Sequence, residues 1–387
     1  MEKRKSLIVD ADSHIEEHPD IWDYLEPEYE HRKPQAVYVG DMIKHNPDRD
    51  YVWLIDGEMY PKLIGSGATC HGTPPLTEFA KNKPVNVESQ AITNVKERLK
   101  SMDAVDLDIS VIYPTLFLQP LTNDVKYEAA LMRAYNNFIS DKCREAPNRL
   151  KWVATIPLRS ITEAVDEIKH AKQLGAVGVM VLGTAGDTLL HDKRFDPVYQ
   201  EAEKLNMPIC VHVGWAHSGL LKSCDAASTS MMLSFELSMV KGFYSFVSGG
   251  IFDRFPNLKV SFIEGGAEWF PTMLARMEHW FDTPTAQPWL AKKRPTEYLR
   301  DHQIYFTCEG DEPNLAGFIE LVGPDRVLGS ADFPHVHFEG GRLSKTFDDI
   351  RKRDDISEET KSLIFGKNSL NFYNICTCNK NITCKCK

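Results

Sequence analysis

The residues of this chain that could do chemistry fall at the ends of apolar runs. The first such run is SLIVDADSHIEE (residues 6–17), in which Leu7, Ile8 and Val9 give way within five residues to Asp10, Asp12 and His14. If a strand continues through it, these three side chains share one face, because side chains on a strand repeat every two residues. Two carboxylates and an imidazole converging at a strand end are costly to bury without a counter-charge, which a divalent cation supplies. The competing reading is a strand-to-helix turn, with Asp12 or Ser13 capping a helix that begins near Pro19. Later runs end in the same manner. His212 lies in MPICVHVG (207–214), with Trp215 and His217 just beyond, and Glu264 follows LKVSFI (258–263). Glu309 and Asp311 end QIYFTCEGD (303–311), and Asp332 lies in RVLGSADFP (326–334), with His335 and His337 beyond. A single histidine in an apolar strand is ordinarily a hydrogen-bonded core residue, but four or more acid or histidine strand ends on one rim are not explained that way.

The elements between these ends must bring them together. From about residue 100, apolar runs alternate with amphipathic stretches: ISVIYPT (109–115) before a long helical pattern that stops at Pro147, then LKWVATIPL (150–158) before SITEAVDEIKHAKQLG (160–175). In the latter, Ser160 reads as N-cap, Glu163 as its capping-box partner and Gly175 as the stop. Counting from Leu7, eight strands are each followed by a helix, which is the pattern of an α/β protein folded as a (β/α)8 TIM barrel, with its active site at the C-terminal strand ends. A doubly wound sheet is the alternative, but no Gly-x-Gly-x-x-Gly follows any strand. Residues 20–33 read as a short helix. Residues 27–100 are an inserted cap segment after strand 1, with hairpin strands around an Asp56-Gly57 turn. The chain therefore reads as one metal-dependent barrel domain over 1–375, with a Cys-rich tail over 376–387 expected to be disordered. In that tail the paired C-x-C motifs could instead take a soft metal.

The chain has 387 residues, a formal net charge of −10 and no long Lys/Arg run, which argues against nucleic-acid and anionic-membrane partners. No apolar stretch reaches membrane-spanning length and no apolar leader precedes the first motif, so a cytoplasmic protein with a small-molecule substrate is expected. Cys70, Cys143, Cys210, Cys224 and Cys308 are scattered as reduced, buried thiols would be.

The motifs VDADSH, MPICVHVG, FPNLKVSFIEGGAEWFP and VLGSADFPH, with AYNNFISDKCREAPNRLKWVATIPL and IFGKNSLNFY, resemble the amidohydrolase superfamily. The resemblance is to its amidohydrolase family 2 branch, which includes aminocarboxymuconate-semialdehyde decarboxylase and γ-resorcylate decarboxylase, and it covers nearly the whole chain to about residue 375. It implies one divalent cation held by Asp12, His14, His212 and Asp332, with zinc expected first and manganese or iron as alternatives. It also implies a homodimer or homotetramer. Two departures stand out. Asp12 occupies a position usually held by His or Glu, and Glu264 stands where the decarboxylases carry a His. The superfamily's bridging lysine is missing from AVGVMVLG (176–183), so a single ion is expected rather than two.

Two reactions fit such a site. The first is hydrolysis of a small amide, lactone or cyclic carbonyl compound by a metal-activated water, with Asp332 relaying the proton and Glu264 or His217 assisting the leaving group. The second is non-oxidative decarboxylation of an aromatic or enoic acid. A barrel that has lost its chemistry is the third possibility. The missing histidine at 264 favours hydrolysis in this reading. Trp215 and Tyr113 are the candidate contacts to a planar substrate, and His335 and Arg159 the candidate grips on a carboxylate.

Overall fold

Eight parallel strands follow one another around the sheet in chain order: β1 (Val9–Ile15), β2 (Ile109–Pro114), β3 (Leu150–Thr155), β4 (Gly178–Leu182), β5 (Ile209–His212), β6 (Val260–Ile263), β7 (Ile304–Cys308) and β8 (Val327–Gly329). The computed structural model describes residues 6–40, 51–76, 85–284, 289–335 and 345–376. Almost every strand residue is buried, because helices cover the outer face and side chains fill the inner one. The principal helices are α1 (Val95–Ala104), α2 (Val125–Glu145), α3 (Ile161–Leu174), α4 (Asp196–Lys204), α5 (Ala227–Val247), α6 (Trp269–Phe281) and α7 (Leu315–Val322), with a terminal helical run over 358–372. This is the expected (β/α)8 barrel.

The seam between β1 and β8 is closed by side chains as much as by backbone. His14 N–H donates to Phe333 O at 2.7 Å. Asp10 accepts from Ala331 N (2.8 Å), Phe333 N (3.4 Å), the Ser13 hydroxyl (2.6 Å) and Asp12 N (3.3 Å). Asp10 is thereby committed to the seam, and the β1–β2 register shifts between Asp10 and Ser13, so only Asp12 and His14 of the predicted trio turn into the cluster. The buried Arg98 of α1 adds a bond to Phe333 O (3.3 Å) and lies over the Phe333 ring.

Two local expectations are corrected. The chain over 20–33 forms two 3₁₀ turns, Pro19–Tyr24 and Pro27–Arg32, because Pro27 has no N–H to continue one ladder. The cap of the first turn is the His18 side chain, and β1 runs unbroken through Asp12 and Ser13, which disposes of the capping alternative. The Ser160 side chain makes no cap bond to α3, whereas Gly175 ends that helix with φ +98° as its position predicts. In the inserted segment, Gln35–Tyr38, Tyr51–Ile55 and Glu58–Tyr60 form an antiparallel sheet, with Asp56 and Gly57 both at positive φ in the tight turn. No described helix is long and apolar enough to cross a membrane. Of the tail, Cys376 is exposed, while Cys378, Cys384 and Cys386 lie outside the described residues.

Candidate active site

Asp12, His14 and His212 meet at the C-terminal ends of β1 and β5, all fully buried. Asp12 Oδ1 to His14 Nε2, His14 Nε2 to His212 Nε2, and His212 Nε2 to Asp12 Oδ1 each measure 3.3 Å. Three donors held about 2.0–2.1 Å from one ion in a tetrahedral set stand about 3.3–3.4 Å apart, so the triangle fits a single cation. The outward atoms agree. His212 Nδ1 faces the Val213 carbonyl at 3.0 Å, which only accepts, so the proton sits on Nδ1 and the Nε2 lone pair faces the centre. The second carboxylate oxygen of Asp12, Oδ2, is buried with no hydrogen-bond partner among the described residues.

His14 is oriented in the same way through Thr115, just past β2. The Thr115 hydroxyl donates to Ile15 O at 2.8 Å, which leaves its oxygen to accept from His14 Nδ1 (3.3 Å) and His335 Nε2 (2.9 Å). Glu17 holds this turn by accepting from Thr115 N (2.9 Å) and Leu116 N (2.8 Å).

Asp332 and Glu264 reach the cluster from β8 and β6. Asp332 Oδ1 lies 3.5 Å from His14 Nε2 and 2.7 Å from His335 Nδ1, and His335 stacks on His14 with ring centroids 4.3 Å apart. Glu264 Oε2 lies 3.5 Å from His212 Nε2. Both residues have left-handed backbone, φ +50° at Asp332 and +64° at Glu264, which is uncommon for residues with side chains and gathers at functional sites. The Glu264 N–H is held by the Thr307 hydroxyl at 2.8 Å.

The charges of this cluster are unbalanced. Burial pushes the Glu264 carboxyl far above its usual range, and the Asp332, Asp12 and Glu309 carboxylates push it further. Burial also lowers His14, with protonated His335 opposing its charge, so His14 is a neutral donor. Burial would raise Asp12, but its contacts with His212 and His14 outweigh that and lower its pKa overall. Burial likewise opposes a charge on His335, yet its contacts with Asp332, Glu16 and Asp12 raise its pKa overall. Several carboxylates gathered around the neutral imidazole of His14 call for a cation.

The mouth is aromatic. His71 of the inserted segment lies near the rings of Trp215 (5.6 Å), Phe235 (6.1 Å) and His335 (5.6 Å), and Trp215 packs on Phe235 at 5.0 Å. Gln119 tethers the loop that carries His71, accepting from the Thr69 hydroxyl and donating to His71 O. Phe235, on α5, goes unnoticed in the sequence because it sits in an apolar helix, where it reads as core. Helix α5 comes this close because Gly183, after β4, has no Cβ: one there would stand 1.9 Å from Ser238 O.

Tyr113 meets the cluster only with its ring, whose centroid lies 6.0 Å from that of His14 and 5.3 Å from that of His212, and two further predicted residues lie apart from it. Tyr113 is fully buried and its hydroxyl turns to Tyr373 at 2.6 Å, with Tyr373 donating on to Ala11 O. Arg159 grips Glu128 with two contacts (2.9 and 2.8 Å) and lines a separate cavity of about 330 Å³ with Gln119, Asn123, Leu182 and Asp187. His217 caps the short helix Ser218–Lys222 through Leu220 N and faces Asp187 at 3.5 Å. His337 lies outside the described residues.

Fold and site together define an α/β-barrel enzyme with a divalent-cation site at the strand ends. Residues 68–375 match the amidohydrolase family model, and the chain belongs to that family. It is 25% identical over 279 residues to 2-amino-3-carboxymuconate-6-semialdehyde decarboxylase of Dictyostelium discoideum, spanning 71% of this chain and 75% of that one. It is 26% identical over 263 residues to gamma-resorcylate decarboxylase of Rhodococcus jostii, spanning 61% and 76%. Its fold is similar to that of 5-carboxyvanillate decarboxylase of Novosphingobium aromaticivorans, solved with manganese and 3-methoxy-4-hydroxy-5-nitrobenzoic acid, at a TM-score of 0.68, 18% identity and coverage of 96% and 98%.

These relatives overturn the expectation of hydrolysis, since they are decarboxylases. The inference from Glu264 fails for a physical reason: a carboxylic acid holds and releases a proton as an imidazole does, so the exchange does not demand a different reaction.

Proposed function

We propose that this protein is a divalent-metal-dependent, non-oxidative decarboxylase of a planar aromatic or enoic carboxylic acid. The observation that carries the reading is the Asp332–His335 pair, 2.7 Å apart at the edge of a cation-fitting triangle and beside an aromatic wall. The decarboxylase relatives support it. Asp12, His14 and His212 would hold the cation, with a further carboxylate from Asp332 or Glu264. The bound cation supplies Lewis-acid neutralisation of the substrate carboxylate and a neighbouring oxygen. Two imidazoles with carboxylates suit zinc or manganese, and the surplus of carboxylates favours manganese.

The protein's own groups do the rest. The wall of His71, Trp215 and Phe235 orients the planar acid. Asp332, as the acid, delivers its proton to the carbon that bears the carboxylate. The C–H bond forms, the C–CO₂ bond breaks, its electron pair returns to the π system, and CO₂ leaves. His335, raised in pKa by Asp332, returns a proton to Asp332 from solvent. One proton is consumed for each CO₂ released.

The test is a panel of ortho-hydroxybenzoates and 2-enoic acids beside amides and lactones, run with metal-loaded and metal-stripped protein. CO₂ release from an acid only when metal is present supports the proposal. Efficient cleavage of an amide or lactone with no CO₂ from any acid defeats it.

A further inference from the structure

Asp332 has left-handed backbone, φ +50°, which costs free energy in a residue with a side chain and persists only where the surroundings over-determine it. We infer that Arg98 is a positioning residue for Asp332: its guanidinium, buried behind the β1–β8 seam, fixes the Phe333 peptide and thereby the place where the Asp332 carboxylate enters the cluster. The inference rests on the divalent-cation site proposed above and not on the identity of the reaction.

The contacts of Arg98 converge on one residue. Its side chain leaves α1 fully buried, Nη2 donates to Phe333 O at 3.3 Å, and the guanidinium carbon lies 4.4 Å from the centroid of the Phe333 ring. Nη1 donates to Ser89 O at 3.4 Å, and Nε has no acceptor among the described residues. Asp10 supplies a favourable negative charge nearby. A buried cation so thinly compensated is costly to keep, and an apolar side chain of similar length would pack there without that desolvation. What the cation contributes is its hold on Phe333.

Asp10 and His14 complete that hold. Asp10 accepts from Ala331 N (2.8 Å) and Phe333 N (3.4 Å), and His14 N donates to the same Phe333 O that Arg98 reaches. The residues on both sides of Asp332 are therefore pinned. His14 is itself a proposed ligand, so the shared carbonyl ties the level of Asp332 beyond β8 to that of His14 on β1. Without Arg98, Phe333 O keeps one of its two donors and the Phe333 ring loses the cation beside it, which frees the turn to rotate about its remaining bonds.

The test reads metal binding with no substrate present, because Asp332 Oδ1, 3.5 Å from His14 Nε2, is close enough to the cation site for the ion to feel its charge. Metal-free wild type, Arg98→Met, Arg98→Lys, Asp332→Asn and the double variant Arg98→Met/Asp332→Asn would be titrated with Mn(II). Free ion is followed by electron paramagnetic resonance, and circular dichroism confirms the fold. Met102→Ala, one turn along α1 and equally buried, is the control for a weakened helix that keeps Arg98. Arg98→Met should bind Mn(II) about 10–100-fold more weakly, the usual effect of losing a group that orients such a site, with Arg98→Lys between it and wild type. Since Arg98 acts through Asp332, the double variant should match Asp332→Asn within about twofold, whereas independent effects would multiply. Met102→Ala should bind as wild type does. Wild-type binding by Arg98→Met, multiplied losses in the double variant, or an equal loss in Met102→Ala overturns the inference. If Arg98→Met does not fold, Arg98→Lys alone and combined with Asp332→Asn decides in the same way. A wild type that binds no Mn(II) removes the site and this inference with it. A protein that bound Mn(II) as described yet released no CO₂ would leave the inference standing and defeat the proposed reaction instead.

Discussion

His335 Nδ1 lies 2.7 Å from Asp332 Oδ1, and the two residues come from one turn in which His335 N–H also donates to Asp332 O at 2.7 Å. The pair is thus preorganised by its own backbone. Replacing His335 with Gln keeps a hydrogen-bonding side chain but removes a group able to return a proton. We predict that turnover falls about 10²–10⁴-fold, the usual worth of a positioned acid–base group. Mn(II) stoichiometry should stay at that of wild type, and its loss alongside activity would make His335 part of the metal site.

Thr115 serves two imidazoles with one oxygen. Thr115→Val removes the acceptor for His14 Nδ1 and His335 Nε2 while keeping the shape. Metal affinity should drop about 10–100-fold, as for other groups that orient ligands, and Thr115→Ser should restore most of it. Equal affinity in Val and wild type would show that His14 is oriented without this bond.

Phe235 packs on Trp215 and His71 but touches none of the proposed ligands or proton carriers in the contacts described. Phe235→Ala should raise KM for an aromatic acid by about 3–10-fold, the equivalent of about 0.5–1.5 kcal/mol of ring packing, with kcat little changed. A fall in kcat at constant KM would place Phe235 in transition-state positioning instead.

The exposed Arg159 pairs with the buried Glu128 carboxylate away from the cluster. Arg159→Met should destabilise the fold by about 1 kcal/mol, because it leaves the buried Glu128 carboxylate unpaired while solvent already screens the exposed arginine. Burial raises the Glu128 pKa even with Arg159 present, so the folded state holds the Glu128 proton more tightly than the unfolded state, and ionisation costs stability as pH rises above 4.5. Removing Arg159 strengthens that trend. The deficit of the variant, measured by urea unfolding, should be smaller at pH 5 than at pH 8, and a deficit independent of pH would mean that Glu128 is not the unpaired group.

The barrel was legible because its buried parallel strands are short apolar runs that end in polar residues, a pattern local to the sequence. The same pattern exposed Asp12, His14, His212, Glu264, Asp332 and His335. What it could not show was the direction of side chains beyond a strand end. Arg159 and His217 follow strands β3 and β5 closely, but Glu128 on the neighbouring helix and the Leu220 N–H capture them, pairings that periodicity does not specify. Tyr113 looked like a mouth residue, yet Tyr373, 260 positions away, holds its hydroxyl. Asp10 was indistinguishable from Asp12 by alternation alone, and the register shift after it, with its bonds across the β8 seam, turns it out of the cluster. Phe235 and Arg98 owe their places to helix packing, which only the assembled barrel defines.

The most direct test of the account follows the proton. An accepted acid would be turned over by the metal-loaded protein in D₂O, with the product read by NMR and the gas by mass spectrometry. The account predicts one CO₂ per product and one deuterium on the carbon that carried the carboxylate, with both lost in Asp332→Asn. A product that gains solvent oxygen in a new carboxylate, with no CO₂ and no deuterium on carbon, would contradict it.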